Sequence, residues 1–329
     1  MNNKEKYEHF CEKIYVPIYS KPWWMDAVCG KENWDIWLYE KGNNILAAMP
    51  YYLKKNGNYK YITKAPLTQN NGIIFNYPAD GVMKNIAKQK FEEEVIVQAC
   101  KFIKKLDLDV YEQQYHYDYT YYLPFFWNNY TIVPRINYVL ENTSNVEELW
   151  ENLSSNYRKN IKKGQKNSFV KQDLDKQKFY KEHEKIFQKQ GLECPFSYPL
   201  WENLYNACKK NNVCKILYAL DKDNNITSLL FLVWDEKSMY HLLGGSIPSY
   251  QKLESYNALT WTAIKMASYM GLKYDFEGSV IEKISKSFRE FGGEAKIYYR
   301  IRKVFNPEIL KKEYIEHLDV LIKENKRLN

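Results

Sequence analysis

The sequence predicts an α/β (α+β) fold built as two similar units in tandem, each a mixed, largely antiparallel sheet flanked by helices. Two stretches far apart read as β-hairpins of matching pattern. Each hairpin is followed by the same succession of strand signal, long amphipathic helix and short acidic strand, the mark of an internal duplication. A polar break, Glu141-Asn142-Thr143-Ser144-Asn145, falls between the two series and divides the chain into 1–143 and 144–329. With 329 residues and 45% apolar content, the chain has material for two cores.

In the first series, Trp34 to Met49 gives a strand, a turn at Lys41-Gly42-Asn43-Asn44 and a second apolar strand ending at Pro50. Further strand signal lies at roughly 58–63 and 72–76, a helix over 83–106, and a strand over 108–115. The tyrosine-dense stretch Tyr111 to Tyr130 reads as an ordered aromatic loop between the halves, serving either as a ligand wall or as interface filling. The second series opens with helices at about 145–152, 155–166, 176–190 and 198–211; Ser144 or Asn145 ahead of Glu147 and Glu148 marks the first start. A hairpin over Cys214 to Trp234 turns at Asp221-Lys222-Asp223-Asn224-Asn225, and is followed by a strand at 238–244, a helix at 254–270 and a strand at 272–277. Helix 281–291, strand 294–302 and helix 307–326 complete the chain.

Composition narrows the function classes. Lys and Arg number 48 against 40 Asp and Glu, a net +8, and only six of the bases are arginine, so most of the excess is a lysine-rich surface. Such a balance suits an anionic partner such as a coenzyme pyrophosphate, a nucleotide sugar, tRNA or a lipid headgroup, and selects none of them. No apolar run approaches membrane-spanning length, and Met1-Asn2-Asn3-Lys4-Glu5-Lys6 leads into no signal core, so the expectation is a soluble cytoplasmic protein. The six cysteines are scattered without a Cys-x-x-Cys pair and read as reduced thiols. Neither they nor the five histidines show metal-ligand spacing, and no metal is expected. The Gly-x-Ser-x-Gly, P-loop and Gly-x-Gly-x-x-Gly signatures are missing, which removes the usual hydrolase, P-loop and dinucleotide readings.

The run Tyr240 to Ser279 carries the remaining chemical signal. A strand closing in Leu243-Gly244-Gly245-Ser246 leads through a polar loop to a helix starting near Tyr256. A helix start presents N–H groups and a positive dipole end, apt for a pyrophosphate, with Lys252 and the Ser255 hydroxyl in reach; Ser255 also reads as a simple helix cap. In Tyr274-Asp275-Phe276-Glu277-Gly278-Ser279, period two puts Asp275 and Glu277 on one strand face, where a carboxylate can take a proton from an attacking amine. Each also reads as an ion-pair partner or cap. On the helix over 155–166, Arg158 and Lys162 share a face suited to an acceptor's phosphate or carboxylate, or to plain solvation. Arg289 reads as an anion ligand or a local ion-pair partner.

The runs Tyr256-Asn257-Ala258-Leu259-Thr260-Trp261-Thr262-Ala263-Ile264, Gly271 to Ser279 and Phe288-Arg289-Glu290-Phe291-Gly292-Gly293 resemble the C-terminal signature of tandem acetyltransferase-fold proteins. These form the Fem-like branch of the GNAT superfamily, which includes the peptidoglycan bridge aminoacyltransferases. The stretch Leu153 to Lys163, together with Ser20-Lys21-Pro22-Trp23-Trp24 and Ala47-Ala48-Met49-Pro50, is similar to the same family's pattern.

The resemblance implies acyl transfer to an amine that attacks the donor carbonyl directly. Strands 238–244 and 272–277 would flank the donor, and backbone N–H at Leu243 or Gly244 would meet its carbonyl oxygen. Gln251, Lys252, Ser255 and Tyr256 would hold a pantetheine pyrophosphate, although Gln251-Lys252-Leu253-Glu254-Ser255-Tyr256 departs from the family's glycine-rich phosphate loop. Glu277 is the first candidate base and Asp275 the second, while Arg158, Lys162, His241 and Arg289 are assigned to the acceptor. The leading expectation is an N-acyltransferase using acyl-coenzyme A on a primary amine of a sugar, amino acid or cell-envelope precursor, without DNA and with at most peripheral membrane contact. The alternatives are a Fem-like aminoacyl-tRNA-dependent transferase acting on a peptidoglycan precursor or peptide, and a non-catalytic ligand-binding protein. No long heptad insertion marks the helical arm of some bridge-forming members.

Overall fold

The structure is a computed structural model that describes residues 2–77, 83–188 and 191–328. In chain order its first elements are α1 (Asn3–Lys13), α2 (Pro22–Cys29), β1 (Trp34–Lys41), β2 (Asn44–Asn56), β3 (Tyr59–Thr63), β4 (Ile74–Phe75), α3 (Asn85–Lys105), β5 (Val110–Gln114), α4 (Leu123–Trp127) and β6 (Thr131–Leu140). There follow α5 (Val146–Asn152), α6 (Ser155–Asn167), β7 (Phe169–Gln172), α7 (Lys176–Gln188), α8 (Tyr198–Lys210), β8 (Cys214–Leu220), β9 (Ile226–Trp234) and β10 (Ser238–Ser246). The last are α9 (Ser255–Tyr269), β11 (Lys273–Asp275), α10 (Glu282–Glu290), β12 (Glu294–Val304) and α11 (Pro307–Leu328). Two compact units result: unit 1 is Met1–Val16, Cys29–Pro134 and Tyr298–Asn329, and unit 2 is Pro17–Val28 and Arg135–Ile297.

Unit 1 orders its strands β1-β2-β3-β5-β12, with β3 and β5 parallel and the other neighbours antiparallel. Helix α3 makes the crossover between the parallel pair because Val95, Ile96, Ala99 and Ile103 recur at helical spacing and are buried. The parallel rungs end at Ile62 and Tyr111. Beyond them the chain fills its own gap: the Asn71 N–H donates to the Gln114 carbonyl at 2.8 Å. Gly72, at φ +125°, lies so close to the Tyr115 ring that a Cβ there would fall 2.7 Å from it. The tyrosine-dense stretch does not form a loop between halves. Tyr111, Tyr115, Tyr119 and Tyr130 are buried in the core of unit 1, with the hydroxyls of Tyr111 and Tyr115 2.8 Å apart.

Unit 2 repeats this arrangement in the order β6-β11-β10-β9-β8-β7, again with one parallel pair, β10 and β11, joined by a buried helix, α9. Strand β9 is apolar nearly throughout and buried from Ile226 to Val233, as a strand covered on both faces must be. Helix α6 crosses α9 at Gly164, where a Cβ would lie 2.3 Å from the Glu254 carbonyl oxygen.

Expected and observed elements differ at several ends and in five elements that the sequence reading does not include. The strand expected over 272–277 is confined to Lys273–Asp275, and that over 72–76 to Ile74–Phe75. The expected helix end at 190 falls outside the described residues. Strand β6 was not expected because Pro134, which cannot donate to a ladder, interrupts its pattern; its rungs with β11, at Val139 and Leu140, come after the proline. Helices α1, α2 and α4 and the short strand β7 were likewise not expected.

In an open helix Gly→Ala gains about 1 kcal/mol. At Gly164 the clash with the Glu254 carbonyl outweighs this, so Gly164→Ala should lower stability by roughly 1–3 kcal/mol, read as a lower urea midpoint. An unchanged or raised midpoint would mean that α6 moves aside.

Candidate functional site

The last parallel rung of unit 2 joins Tyr240 to Asp275. Past it, the chain after β11 stays with β6: the Phe276 N–H donates to the Tyr138 carbonyl at 3.0 Å, and the Tyr138 N–H to the Glu277 carbonyl at 3.4 Å. Strand β10 stays with β9 as far as Ser246, with an extra residue, Leu242, between the rungs of His241 and Leu243. The two strands therefore part after Tyr240. Among the described residues no rung bridges the fork, whereas the matching gap of unit 1 is occupied by its own chain. Leu243 and Gly244 pair with Phe231 and Leu230 of β9 along this stretch, and a Cβ at Gly244 would lie 2.6 Å from the Leu229 carbonyl oxygen.

On one face of the fork stand Asp275, the last residue of β11, and Glu277, which lies past the strand end and not in the extended conformation that a period of two presumes. Glu277 has φ +59°, a left-handed conformation uncommon for residues other than glycine. Both ends of it are held. Its N–H donates to Asp275 Oδ1 at 2.7 Å, and its side-chain Oε1 accepts the phenol proton of Tyr19. Asp275 is buried and accepts a second bond from Asn137 Nδ2 at 3.1 Å. Asp235, also buried, takes the Tyr240 phenol at 2.9 Å and the Ile18 N–H at 3.1 Å on one oxygen, and the N–H groups of Lys237 and Ser238 on the other. Burial, and after it the Glu277 carboxylate with Asp275 and Asp235 adding, pushes the Tyr19 phenol well above its ordinary value, so it stays a proton donor.

His241 occupies the opposite face. Its Nδ1 lies 2.8 Å from the Tyr274 hydroxyl and its Nε2 2.5 Å from that of Tyr256, with Phe276 and Phe288 against the ring. Burial pushes its pKa down to about 3, so the imidazole is neutral and spends one nitrogen as donor and the other as acceptor. His241 and Tyr256, expected on different ligands, are thus direct partners.

The polar segment before α9 is a 3-10 helix over Pro248–Leu253, and Glu254, at φ +60°, is the N-cap residue without a side-chain cap bond. Ser255 does not cap α9: it is the first helical residue, and its Oγ is buried without a partner. Gln251 and Lys252 are exposed beside it. The Glu254 carboxylate accepts from Asn257 Nδ2 at 2.8 Å.

The basic side chains assigned to the acceptor turn elsewhere. Arg158 Nη1 donates to the carbonyls of Glu151 at 2.8 Å and Leu153 at 2.6 Å, closing the C-terminal end of α5. Lys162 lies over the Trp150 ring at 5.8 Å. Arg289 is exposed and 3.5 Å from its neighbour Glu290. Sequence reading missed Tyr19, Asp235 and Asn137; the one available signal was that Tyr19 adjoins the family-like Ser20-Lys21-Pro22-Trp23-Trp24. Among the described residues no cluster of three or more His, Cys, Asp or Glu is arranged for a metal ion, and no helix is long and apolar enough to cross a membrane.

Residues 152–280, which hold the fork, match the acetyltransferase (GNAT) domain family. The fold as a whole is similar to the crystal structure of FemX, with a TM-score of 0.68 at 12% identity over 94% of this chain and 98% of that one. The chain shares the fold of FemX, with a GNAT domain match within its second half. Other structures sharing the GNAT fold include the C-terminal domain of a putative lysylphosphatidylglycerol synthetase from Agrobacterium fabrum, at TM-score 0.57 and 10% identity over 92% of each chain. A tandem GNAT protein from the clavulanic acid biosynthesis pathway matches at TM-score 0.50 and 6% identity over 82% of each chain. No curated protein matches the sequence.

Two predictions concern this GNAT domain. Asp275→Leu strands two donors, the Glu277 N–H and Asn137 Nδ2, and should cost about 2 kcal/mol or more in denaturant unfolding. Burial holds His241 at about 3 and His183 at about 4, below the 6.5 of an unfolded histidine. Their contribution is complete above pH 6.5 and is lost as pH falls toward those values, by up to ~1.4 kcal/mol per pH unit for each. His241→Gln and His183→Phe should each flatten that acid-side fall in the urea midpoint.

Proposed function

We propose that the chain is an N-acyltransferase, moving an acyl group from acyl-coenzyme A to a primary amine of a sugar, an amino acid or a cell-envelope precursor. The observation that carries this reading is the unbridged fork of a GNAT domain with a clamped carboxylate, Glu277, on its rim. The acceptor arrives as an ammonium and gives one proton to solvent before its nitrogen can attack. Nitrogen then forms the C–N bond to the carbonyl carbon while the C–S bond breaks and sulfur keeps its electron pair. Glu277 takes one of the two protons still on nitrogen and passes it to the sulfur, so that amide and free thiol leave together. Asp275, buried and bonded to the Glu277 N–H, acts by fixing the turn.

The N–H groups of Leu243 or Gly244 are the proposed donors to the carbonyl oxygen. The start of α9, without a side-chain cap and with Lys252 and Gln251 exposed beside it, is the proposed seat of the pyrophosphate; the unpartnered Ser255 Oγ beneath it supports a polar ligand there. Arg158 and Lys162, turned onto α5, have a weaker claim on the acceptor than Arg289, which is exposed and 3.5 Å from Glu290. In the same proposal, 1–143 and 144–329 are copies of one domain, supported by the matching order of hairpin, parallel pair and crossover helix in each unit.

A second reading, transfer of an aminoacyl group from tRNA to a peptide or peptidoglycan precursor, is favoured by one observation. Backbone donors that a glycine-rich loop would offer a pyrophosphate are used internally: Tyr250 N–H bonds Ile247 and Glu254 N–H bonds Gln251. Thermal-shift titration separates the two readings, since a ligand of the native state raises its melting temperature. A saturable shift with acetyl- or longer acyl-coenzyme A, but not with aminoacyl-tRNA, is the expected result; the reverse pattern would select the second reading. Glu277→Gln should lose turnover about 100-fold while keeping that shift.

A further inference from the structure

We infer that Tyr19 is a positioning residue for the proposed transfer: its phenol holds the Glu277 carboxylate in place, and Asp235 holds Tyr19. The inference rests on the reading of Glu277 as the proton acceptor. Three observations support it, all within unit 2.

The first is that the phenol of Tyr19 bonds Glu277 Oε1 directly, across 258 positions of sequence. Glu277 lies just past the end of β11, in a left-handed conformation, where neither strand pairing nor helix fixes its side chain. A carboxylate at the end of a strand would otherwise sample several rotamers, and a proton acceptor displaced by an ångström loses much of its effect. The second is that Tyr19 has been given no freedom. It is fully buried, with ring centroids 5.0 Å from both Trp24 and Tyr240. The residue before it is tied through its N–H to Asp235, whose same oxygen binds Tyr240 on β10. Lys21 extends the tie with an ion pair to Glu236 at 3.2 Å. The segment 17–21 is thus fastened on both sides of Tyr19 to the turn between β9 and β10.

The third observation is chemical. A phenol among carboxylates donates; it does not compete for the acceptor's proton. Asp235 from the turn, Asp275 from β11 and Glu277 itself all hold the Tyr19 proton on oxygen. The Tyr19 phenol therefore donates to Glu277 Oε1 and holds it by a hydrogen bond without taking its place as acceptor. The charged and titratable groups facing this pair are Asp235, Asp275, Tyr240 and the Lys21–Glu236 pair; Asn137 of β6 contributes only a neutral amide.

The test uses the full chain and two readouts. With glutamate carboxyls labelled by carbon-13, the Glu277 signal is assigned by its disappearance in Glu277→Gln and followed against pH. Tyr19→Phe should move its midpoint upward by about half a unit or more. An unmoved midpoint in a folded Tyr19→Phe protein would overturn the inference, and this readout needs no substrate. The second readout is transfer from acetyl-coenzyme A to ethanolamine as probe amine. Tyr19→Phe should lower kcat about tenfold, leave KM for the donor within about twofold, and move the acid limb of the pH profile the same way as the NMR midpoint. Combined with Glu277→Gln it should add little further loss; fully additive losses would assign Tyr19 a role independent of Glu277 and overturn the inference. Wild-type turnover in Glu277→Gln would instead defeat the general-base reading itself. Asp235→Asn, which keeps the shape of the anchor and weakens its bonds, should reproduce part of the Tyr19→Phe shift.

Discussion

Every backbone N–H and C=O in a sheet must find a partner, and the Tyr240–Asp275 rung is where unit 2 stops meeting that demand with its own strands. Beyond it β10 remains committed to β9, and the segment after β11 remains committed to β6. The fork is thus imposed by two pairings that are each complete on their outer side. Its existence places one set of side chains, Asp275 and Glu277, on the face where Tyr19 lies, and the alternate set, Tyr274 and Phe276, on the face of His241. Unit 1 begins with the same parting and closes it with the segment around Asn71 and Gly72, fitted to Tyr115. A shared topology therefore leaves one gap filled by protein and the other available for chemistry.

The two faces of the fork solve opposite electrostatic problems. On the face with Tyr19, three carboxylates gather, and neutral donors satisfy them: a phenol, a side-chain amide and backbone N–H groups. On the other face an imidazole is buried among rings and satisfied by two phenols, and its charged form is excluded by desolvation. Tyrosine serves both needs because its hydroxyl both donates and accepts while its ring belongs in a core.

Much of this was legible in the sequence, for identifiable reasons. Hairpins and the crossover helix depend on periodicity over a few residues, which the chain displays openly. The basic face of α6 shows the reach of the same local rule. Period alone puts Arg158 and Lys162 side by side, but the open carbonyls of α5 and the Trp150 ring, just upstream, claim them first. What could not be read was anything set by contact between remote segments. Tyr19 reaches Glu277 across 258 positions and Asn137 reaches Asp275 across 138, and no local rule connects either pair. Ser255 illustrates the ordinary ambiguity of one position: the helix begins one residue earlier than a Ser255 cap would require, with Glu254 in the capping place.

The strands that complete the two units are exchanged between the halves of the sequence. Strand β6, from the first half, supplies the outer neighbour of β11 in unit 2, while β12, from the second, supplies that of β5 in unit 1. On a ribosome, where a domain ordinarily folds once its own stretch has emerged, this arrangement removes the usual order of events. The earlier half waits, its β5 edge unpaired, until nearly the whole chain has been made. An exposed edge of that kind is a standing invitation to pair with a neighbouring nascent chain, and the interval of exposure lengthens with every residue inserted ahead of β12.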